Sequence, residues 1–372
     1  MPINAKAEKG KRLKILFASS SGYMPEFRGG VQASTDFLVR ECLKRNHEPY
    51  VLASLFGQGV FGTFARLKLK LGKANAAIDR FPGYPVIRAW EPKEVVGEVT
   101  KMLKPDVVVA QCHGAAELAA EFEKLGVPVV LYLRNVEFHE LRGDPSALAG
   151  CKFIANSQFT RERYKAQFGI ESVVIPPLIE RAQYAVERHG RYVTFINPVE
   201  KKGLQKFLDI AKALPSIPFL AVEGWLLDAD QTSDLKEKLA HLPNVHFCKN
   251  TPHMADIYAQ TRILLVPSKW EEAWGRVASE AHCSGIPVVG SNKGGLPEAI
   301  GPGGIVLDYE APLEDWVKAV TDLWTRIDLY NSTSDAALKF SMRPEMNERN
   351  QFETFINTVT EAASPILEFN PQ

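Results

Sequence analysis

The chain has 372 residues, a length that predicts about two domains. Its 44 basic residues equal its 44 acidic residues, so charge gives no reason to expect a nucleic-acid partner. The five cysteines are scattered, and no two have metal-ligand spacing, so neither a disulfide framework nor a metal site is predicted. No apolar run has the length of a signal-peptide core or a membrane span, and we expect a cytoplasmic protein.

Short apolar runs, many of them β-branched, recur along the chain between stretches of helical pattern. Their hydrophobicity is continuous rather than alternating, which is typical of parallel strands covered on both faces. Thirteen such runs are many for one sheet, so we predict two doubly wound α/β domains. The runs are residues 14–18, 49–53, 86–89, 106–110, 127–133, 153–156, 173–175, 192–196, 219–222, 245–247, 263–266, 287–290 and 305–307.

The domain boundary is predicted at Pro176 and Pro177, because two prolines stiffen the chain and forbid a helix there. Residues 348–363 have helical periodicity and follow the last predicted strand, so this helix could pack on either domain. Ligands of open α/β sheets bind outside the carboxyl ends of the strands, and two such domains facing each other would form a cleft.

The most informative motif is E-A-W-G-R-V-A-S-E at residues 272–280, between two predicted strands. Carboxylates accept hydrogen bonds from sugar hydroxyls, and a helix start offers unpaired N–H groups to phosphate. Glu272 and Glu280 in this setting suit a phosphorylated, polyhydroxylated ligand. The alternative is a pair of solvated glutamates at the ends of a helix.

Three motifs follow strands in the first half. Gly29 and Gly30 precede a predicted helix and permit close backbone approach, although they do not form a dinucleotide fingerprint. His113 can bind a sugar hydroxyl or act as a base, while a lone histidine is more often structural. Arg134 and Asn135 end the next predicted strand and offer polar groups on the same wall of the cleft, and a surface turn is the equal alternative.

In the second half, Lys201 and Lys202 precede Gly203 at a predicted helix start, an arrangement suited to phosphate by point charge and backbone amides. A solvated basic loop is the alternative. Gly294 and Gly295 offer another close approach, with structural and ligand roles equally open. Residues 61–77 are basic and apolar, so contact with an anionic membrane surface is conceivable; an ordinary surface segment is favoured.

In this order, the motifs resemble those of the retaining family 4 glycosyltransferases, which have the GT-B fold. The likeness covers most of the chain; residues 272–280 are its specific element. It implies two Rossmann-like doubly wound domains facing a central cleft, an N-terminal acceptor domain of residues 1–176 plus 348–372 and a C-terminal donor domain of residues 177–347. It also implies sugar transfer from a nucleotide-sugar, with anomeric retention and without a metal or other cofactor.

The resemblance assigns roles by position. Lys202 would neutralise the diphosphate leaving group, Glu272 would hold the donor-sugar hydroxyls and His113 would contact the sugar from the N-terminal domain. Glu280 would hold the ribose hydroxyls. Arg134 and Asn135 would be candidates on the acceptor side. The remaining implied donor-side residues are Gly29, Gly30, Asn197, Lys201, Ala273, Trp274, Gly275, Arg276 and Val277.

This chain departs from the family pattern at two of these positions. Asn197 stands where the family has an arginine that pairs with the lysine on the phosphates, so one positive charge is missing or comes from Lys201 or Arg276. Trp274 replaces the usual phenylalanine, a change that keeps an aromatic wall.

We therefore expect a hexosyltransferase that uses a nucleotide-sugar donor, with UDP favoured by family frequency. The expected acceptor is a glycan, a lipid-linked intermediate of surface-polysaccharide biosynthesis, or another hydroxyl compound. The alternatives are a nucleotide-sugar epimerase and a nucleotide-sugar-binding partner subunit without turnover. The expected location is cytoplasmic, with peripheral contact at the inner membrane face conceivable.

Overall fold

The computed structural model of the protein describes residues 11–57, 59–72, 75–225 and 227–364. Residues 1–10 of the polar N-terminal segment and Lys73 of the basic segment lie outside the described residues. The described residues form two compact units. Unit 1 comprises those of Met1–Tyr132, Glu137–Phe153 and Phe355–Gln372, and unit 2 comprises those of Leu133–Val136 and Ile154–Thr354.

The first sheet has eight strands in the order β3-β4-β2-β1-β5-β6-β7-β8. Strand β1 pairs in parallel with β2 and β5, as do β2 with β4, β5 with β6 and β7 with β8, while β3 and β4 are antiparallel. The strands are β1 Lys14–Gly22, β2 Glu48–Ser54, β3 Ala76–Asp79, β4 Val86–Ala89, β5 Val107–Gln111, β6 Val129–Leu133, β7 Lys152–Ala155 and β8 Val173–Val174. The intervening helices are α1 Gly30–Lys44, α2 Gly59–Gly72, α3 Val96–Leu103, α4 Ala115–Lys124 and α5 Gln158–Phe168.

The second sheet, in unit 2, has six parallel strands in the order β11-β10-β9-β12-β13-β14. The strands are β9 Tyr192–Ile196, β10 Phe219–Val222, β11 Val245–Cys248, β12 Thr261–Val266, β13 Val288–Ser291 and β14 Gly304–Leu307. The helices are α6 Leu204–Ala213, α7 Ala229–Ala240, α8 Met254–Gln260, α9 Arg276–His282, α10 Leu296–Ile300, α11 Leu313–Thr325, α12 Ile327–Ser341 and α13 Glu348–Ala363.

The second sheet is covered on both faces, which explains its continuous apolar strands. In β12, Leu265 packs with Phe207 of α6 and Trp316 of α11 in one buried cluster. Its neighbour Leu264 packs with Ala278 of α9 in a second cluster. Successive side chains of a strand point to opposite faces, so each face has its own layer of helices. Both units are Rossmann-like, as predicted.

Each of the thirteen predicted strands corresponds to a strand of the structure. Strand β3 was missed, because its four residues lie at the sheet edge and run antiparallel to β4. The predicted C-terminal helix is α13, whose Phe355 stacks on Phe17 of β1 within unit 1 at a ring-centroid distance of 5.9 Å. The predicted boundary at Pro176 falls between the strands of the two sheets, and the domain division made from the sequence stays a prediction.

Residues 61–72 of the basic, apolar segment belong to α2, and Ala76 and Ala77 at its end begin β3. Leu69 is buried, while Val60, Phe64, Leu67 and Leu71 are exposed. Among the described residues, no helix has the length and apolarity needed to cross a membrane.

Candidate functional site

The centre of the candidate site is an ion pair between two motifs that are 70 residues apart. Lys202 Nζ lies 2.5 Å from Glu272 Oε1, and the two side chains are only 13% and 14% exposed. Ser268, directly after β12, donates its hydroxyl to the same oxygen at 3.0 Å. Glu272 Oε2 has no hydrogen-bond partner among the described residues. It therefore remains available to accept a bond from a ligand hydroxyl.

Glycines bring these two motifs together. Gly203 has φ of +89°, and a Cβ atom there would lie 1.8 Å from the carbonyl oxygen of Pro267. Only glycine allows this contact, and the contact places the neighbouring Lys202 close to the end of β12. Gly294 allows a similar close contact at Glu272, since a Cβ there would lie 2.2 Å from the Glu272 carbonyl oxygen. The close approach of this glycine is to the chain's own backbone.

The neighbouring Lys201 lies between two tryptophan rings. Its Nζ is 4.5 Å from the ring centroid of Trp225 and 4.7 Å from that of Trp270. Lys202 Nζ is 5.0 Å from the Trp225 ring as well, so one indole holds both ammonium groups. Cation–π attraction stabilises ammonium groups over such rings. The site thus concentrates two positive charges on the Trp225 side chain.

Asn197 positions that indole. It has φ of +64°, a left-handed conformation that asparagine tolerates better than most residues, directly after β9. Its side-chain Oδ1 accepts the backbone N–H of Trp225 at 2.6 Å. Asn197 therefore supplies no charge of its own but anchors the loop that carries Trp225.

Glu280 lies in a buried network on α9. Its Oε1 accepts from Arg276 Nε at 2.6 Å, and its Oε2 accepts from the Tyr258 hydroxyl at 2.7 Å. Burial first, and then the Glu280 charge, raise the pKa of Tyr258 well above its usual range, so this hydroxyl stays a donor. Arg276 also donates to the Leu178 carbonyl at 2.7 Å. The ribose role of Glu280 stays a prediction, and a ligand would have to share a carboxylate that already has two partners.

The residues between the two glutamates shape the start of α9. Trp274 is buried and donates its indole N–H to Ser279 at 3.0 Å. Gly275 has φ of +100°, and a Cβ there would lie 2.5 Å from Leu296. The carbonyl of Ala273 accepts from the Thr160 hydroxyl at 3.3 Å, and the half-buried Val277 packs against the core. Trp274 and Gly275 thus fix the loop.

Unit 1 contains a separate cavity of about 470 Å³, and the predicted His113 lines it. His113 follows β5, in a turn where Cys112 and Gly114 have φ of +60° and +70°. Its carbonyl accepts the backbone N–H of Ser20 at 2.9 Å, which ties the turn to β1. The cavity is lined by Ser20, Ser21, Gly22, Phe27, Ser54, Leu55, Phe56, Trp90, Glu91, His113 and Arg142.

The remaining predicted residues lie in turns. Gly29 caps α1, and the exposed Gly30 is its first residue. Arg134 and Asn135 belong to a segment that is grouped with unit 2. Their carbonyls accept from Asn156 Nδ2 at 3.4 Å and from the Tyr164 hydroxyl at 3.1 Å, so their backbone is held within that unit.

Sequence reasoning missed several groups that complete the two sites. Trp225 and Trp270 hold Lys201, and Tyr258 holds Glu280. Trp90 and Glu91 line the cavity of unit 1 directly after β4. Trp90, like His113, follows a predicted strand, so the same reasoning could have found it. The residues that contact Lys201 and Glu280 could not have been found in this way, because their spacing in the sequence does not indicate the contacts.

Two family models match the chain. The model described as Glycosyltransferase Family 4 matches residues 28–183, and the model described as Glycosyl transferases group 1 matches residues 179–340. A D-inositol 3-phosphate glycosyltransferase of Corynebacterium kroppenstedtii is 37% identical over 180 residues, 43% of this chain. Spore coat protein SA of Bacillus subtilis is 28% identical over 152 residues, 36% of this chain. Each match spans 40% of the relative's own length.

Solved structures share the fold over nearly the whole chain. Anabaena Alr3699/HepE, in complex with UDP-glucose, has a TM-score of 0.75 at 18% identity and covers 94% of this chain and all of its own. A glycosyltransferase from Rickettsia africae has a TM-score of 0.74 at 16% identity and covers 95% of this chain and 99% of its own. These likenesses confirm the predicted GT-B fold. The two family models, which follow one another along the sequence and together span most of it, show that this chain belongs to the group 1 and family 4 glycosyltransferases.

Proposed function

We propose that the protein transfers a sugar from a nucleotide-sugar, a UDP-sugar, to a hydroxyl of a glycan or lipid-linked acceptor. The observation that carries the proposal is the pair of Lys202 and Glu272, which places an ammonium group beside a carboxylate with one unoccupied oxygen. An ammonium suits a diphosphate, and a carboxylate suits sugar hydroxyls. The UDP-glucose bound to the structurally similar Anabaena protein supports a UDP-sugar as donor.

The chemistry follows from where charge develops. As the bond between sugar and diphosphate breaks, positive charge grows on the sugar ring and negative charge grows on the diphosphate. Lys202 would stabilise the developing anion, and Lys201, held between Trp225 and Trp270, would supply the second positive charge. Fixed cations aimed at the leaving group lower the barrier because they need no reorganisation during the reaction.

We further propose retention of the anomeric configuration without a metal. Lysine charges at the leaving group take the part that a bound cation has in other phosphate chemistry. In a same-face mechanism, the departing phosphate helps to remove the proton of the acceptor hydroxyl. Contact with a membrane surface, through the exposed apolar residues of α2, belongs to the same proposal for a lipid-linked acceptor.

The test is a transfer assay with separate UDP-glucose, UDP-galactose, UDP-N-acetylglucosamine and GDP-mannose donors and a panel of glycosides as acceptors. Released nucleotide is measured with and without acceptor, and proton NMR reads the anomeric configuration of the product. We expect acceptor-dependent release of UDP and an axial product from an axial donor. Conversion of the donor sugar without any acceptor would indicate an epimerase, and nucleotide binding without turnover would indicate a partner subunit.

A further inference from the structure

Backbone contacts hold the turn that carries Glu272. The backbone N–H of Gly295 donates to the Glu272 carbonyl at 2.6 Å, and Glu272 forms an isolated parallel bridge with Gly294. These contacts fix the position of the Glu272 backbone. They do not fix its carboxylate, because several rotatable bonds separate the carboxylate from the backbone. The orientation of the carboxylate therefore depends on the side chains that contact it.

Two side chains hold the carboxylate, and both contact the same oxygen. Lys202 Nζ lies 2.5 Å from Glu272 Oε1, and the Ser268 hydroxyl donates to Oε1 at 3.0 Å. The Ser268 hydroxyl also lies 3.2 Å from the Trp270 carbonyl. A hydroxyl has only one hydrogen to donate, and a carboxylate oxygen is the stronger acceptor, so the bond goes to Glu272.

Lys202 is the less rigid of these two partners. Its ammonium group ends a long flexible stem, and fixing such a side chain costs much rotamer freedom. In the proposed mechanism, Lys202 also stabilises the diphosphate of the donor. Its contact with Glu272 is then shared with the diphosphate, so Lys202 alone would not keep the carboxylate in place.

Ser268 is the more rigid partner. Its side chain is short, fully buried and lies just after the end of β12. The Ser268 carbonyl accepts from the hydroxyl of Ser291 at 2.7 Å. Ser291 is itself buried at the end of β13, the strand next to β12 in the sheet. Ser268 therefore provides a fixed donor to Oε1 that does not depend on Lys202.

Holding Oε1 determines how the other oxygen is presented. Glu272 Oε2 has no hydrogen-bond partner among the residues that the structure describes, so a bond to a sugar hydroxyl is its available interaction. Groups that bind a substrate act best when neighbouring side chains lock their geometry, since small errors of placement cost large factors in rate. A fixed Oε1 leaves the carboxylate less freedom to turn away from the sugar.

We propose that Ser268 is a positioning residue for the sugar part of the donor. It acts through Glu272 and makes no contact with the nucleotide. The inference rests on the proposed transferase function and deepens it, because it assigns to a buried hydroxyl an effect on recognition of the sugar that is separate from recognition of UDP.

Calorimetric titration tests the proposal with UDP and with whichever of UDP-glucose, UDP-galactose and UDP-N-acetylglucosamine binds the wild type most tightly. In Ser268→Ala, the dissociation constant of the UDP-sugar should rise about tenfold, while that of UDP should change less than about twofold. A merely structural role would raise both constants together. Ser268→Cys fills the same space with a weak donor, and it should resemble Ser268→Ala.

Two further variants separate the action of Ser268 from a general loss of stability. In a Glu272→Ala background, Ser268→Ala should cause no additional loss of UDP-sugar affinity, because the carboxylate through which it acts is gone. Thr194→Val is the matched control. It removes another buried hydroxyl of the same sheet, which lies 2.8 Å from the Thr261 hydroxyl. It should lower the stability and leave both dissociation constants unchanged.

The possible outcomes distinguish this inference from the proposed function. Equal weakening of UDP and UDP-sugar binding in Ser268→Ala, no weakening of either, or wild-type sugar affinity in Ser268→Cys would each overturn the inference while the proposed function stands. An additional loss in the Glu272→Ala background would overturn it as well. If the wild type binds UDP but none of the UDP-sugars, Glu272 has no sugar to hold, and the inference is wrong. If the wild type binds neither, the proposed donor fails and the inference fails with it.

Discussion

Lys202 Nζ and Glu272 Oε1 lie 2.5 Å apart, in side chains that are mostly shielded from solvent. The pair joins the turn after β9 to the loop after β12, and these strands are neighbours in the second sheet. Two groups that we propose to serve different parts of the donor, the diphosphate and the sugar, are thus in contact with each other. Donor binding would exchange part of this ion pair for contacts with the diphosphate.

Lys202→Met tests this arrangement. We expect kcat to fall about 100-fold or more, because a preorganised charge at the leaving group is lost, while KM for the donor changes much less. Steady-state kinetics measure both constants. Lys212→Met, an exposed lysine on α6 in the same unit, is the matched control and should behave as the wild type. Equal activity of Lys202→Met and the control would remove Lys202 from the mechanism.

The tryptophans around Lys201 should matter for the same step. Trp225→Ala removes the ring that lies near both ammonium groups, and we expect kcat to fall about tenfold with a smaller loss in Trp225→Phe. Lys201→Met should produce a similar loss. In the double variant Trp225→Ala/Lys201→Met, the two losses of kcat should be less than additive, because both substitutions act on the charge of Lys201. Fully additive losses would argue that Trp225 acts independently of Lys201.

Replacing Glu280 should lower the stability of the protein. Glu280→Ala leaves Arg276 buried without its carboxylate, and we expect a loss of about 3 kcal/mol in the free energy of unfolding. Glu280→Gln keeps acceptor capacity and should be less destabilising. When Arg276→Leu has already removed the buried positive charge, the additional change Glu280→Gln should destabilise the protein even less. Chemical denaturation measures these values, and equal stability of Glu280→Ala and the wild type would contradict the structural role of the network.

A pH dependence follows from His282, which is 1% exposed and has Nε2 3.2 Å from the Gly303 carbonyl. Burial, with a smaller effect of the Arg343 charge, lowers the pKa of His282 from 6.5 to about 4. Above pH 6.5, His282 is neutral in both the folded and the unfolded state, so it causes no loss of stability. As the pH falls from about 6.5 to about 4, the unfolded chain binds a proton that the folded chain does not, and stability declines.

The slope from this residue approaches about 1.4 kcal/mol per pH unit. Urea unfolding between pH 7 and pH 4 should show a shallower decline for His282→Gln than for the wild type. His241→Gln, at an exposed position, serves as the control and should keep the wild-type slope. An unchanged slope in His282→Gln would show that His282 does not titrate in this manner.

The strands and the order of the site motifs were predictable from the sequence because they depend on local pattern. Continuous apolar runs indicated the strands of both sheets, and Lys202 and Glu272 lie in the segments that follow two of them. Their meeting follows from the general rule that parallel strands present their carboxyl ends at one edge of the sheet. The motif analysis therefore needed no knowledge of long-range contacts.

The partners of these motifs were not predictable, because they come from loops whose paths local pattern does not encode. Trp225 lies over Lys201 in a loop whose amide is held by Asn197, a residue in a left-handed conformation. Tyr258, on α8, reaches Glu280 through the packing of two helices. Gly294 looked equally suited to a ligand and to the chain's own backbone, and local pattern gave no sign of its close approach to the Glu272 backbone.

Calorimetric titration of UDP, GDP, ADP and TDP into the wild type, Lys202→Met and Glu280→Gln tests the central claim most directly. UDP at about 100 times its dissociation constant should also stabilise the wild type by about 2.7 kcal/mol. The account predicts that UDP binds the wild type in preference to the other three and binds Lys202→Met at least tenfold more weakly, about 1.4 kcal/mol. Equal UDP affinity of the wild type and Lys202→Met, or no binding of any nucleotide, would contradict the assignment of the donor site.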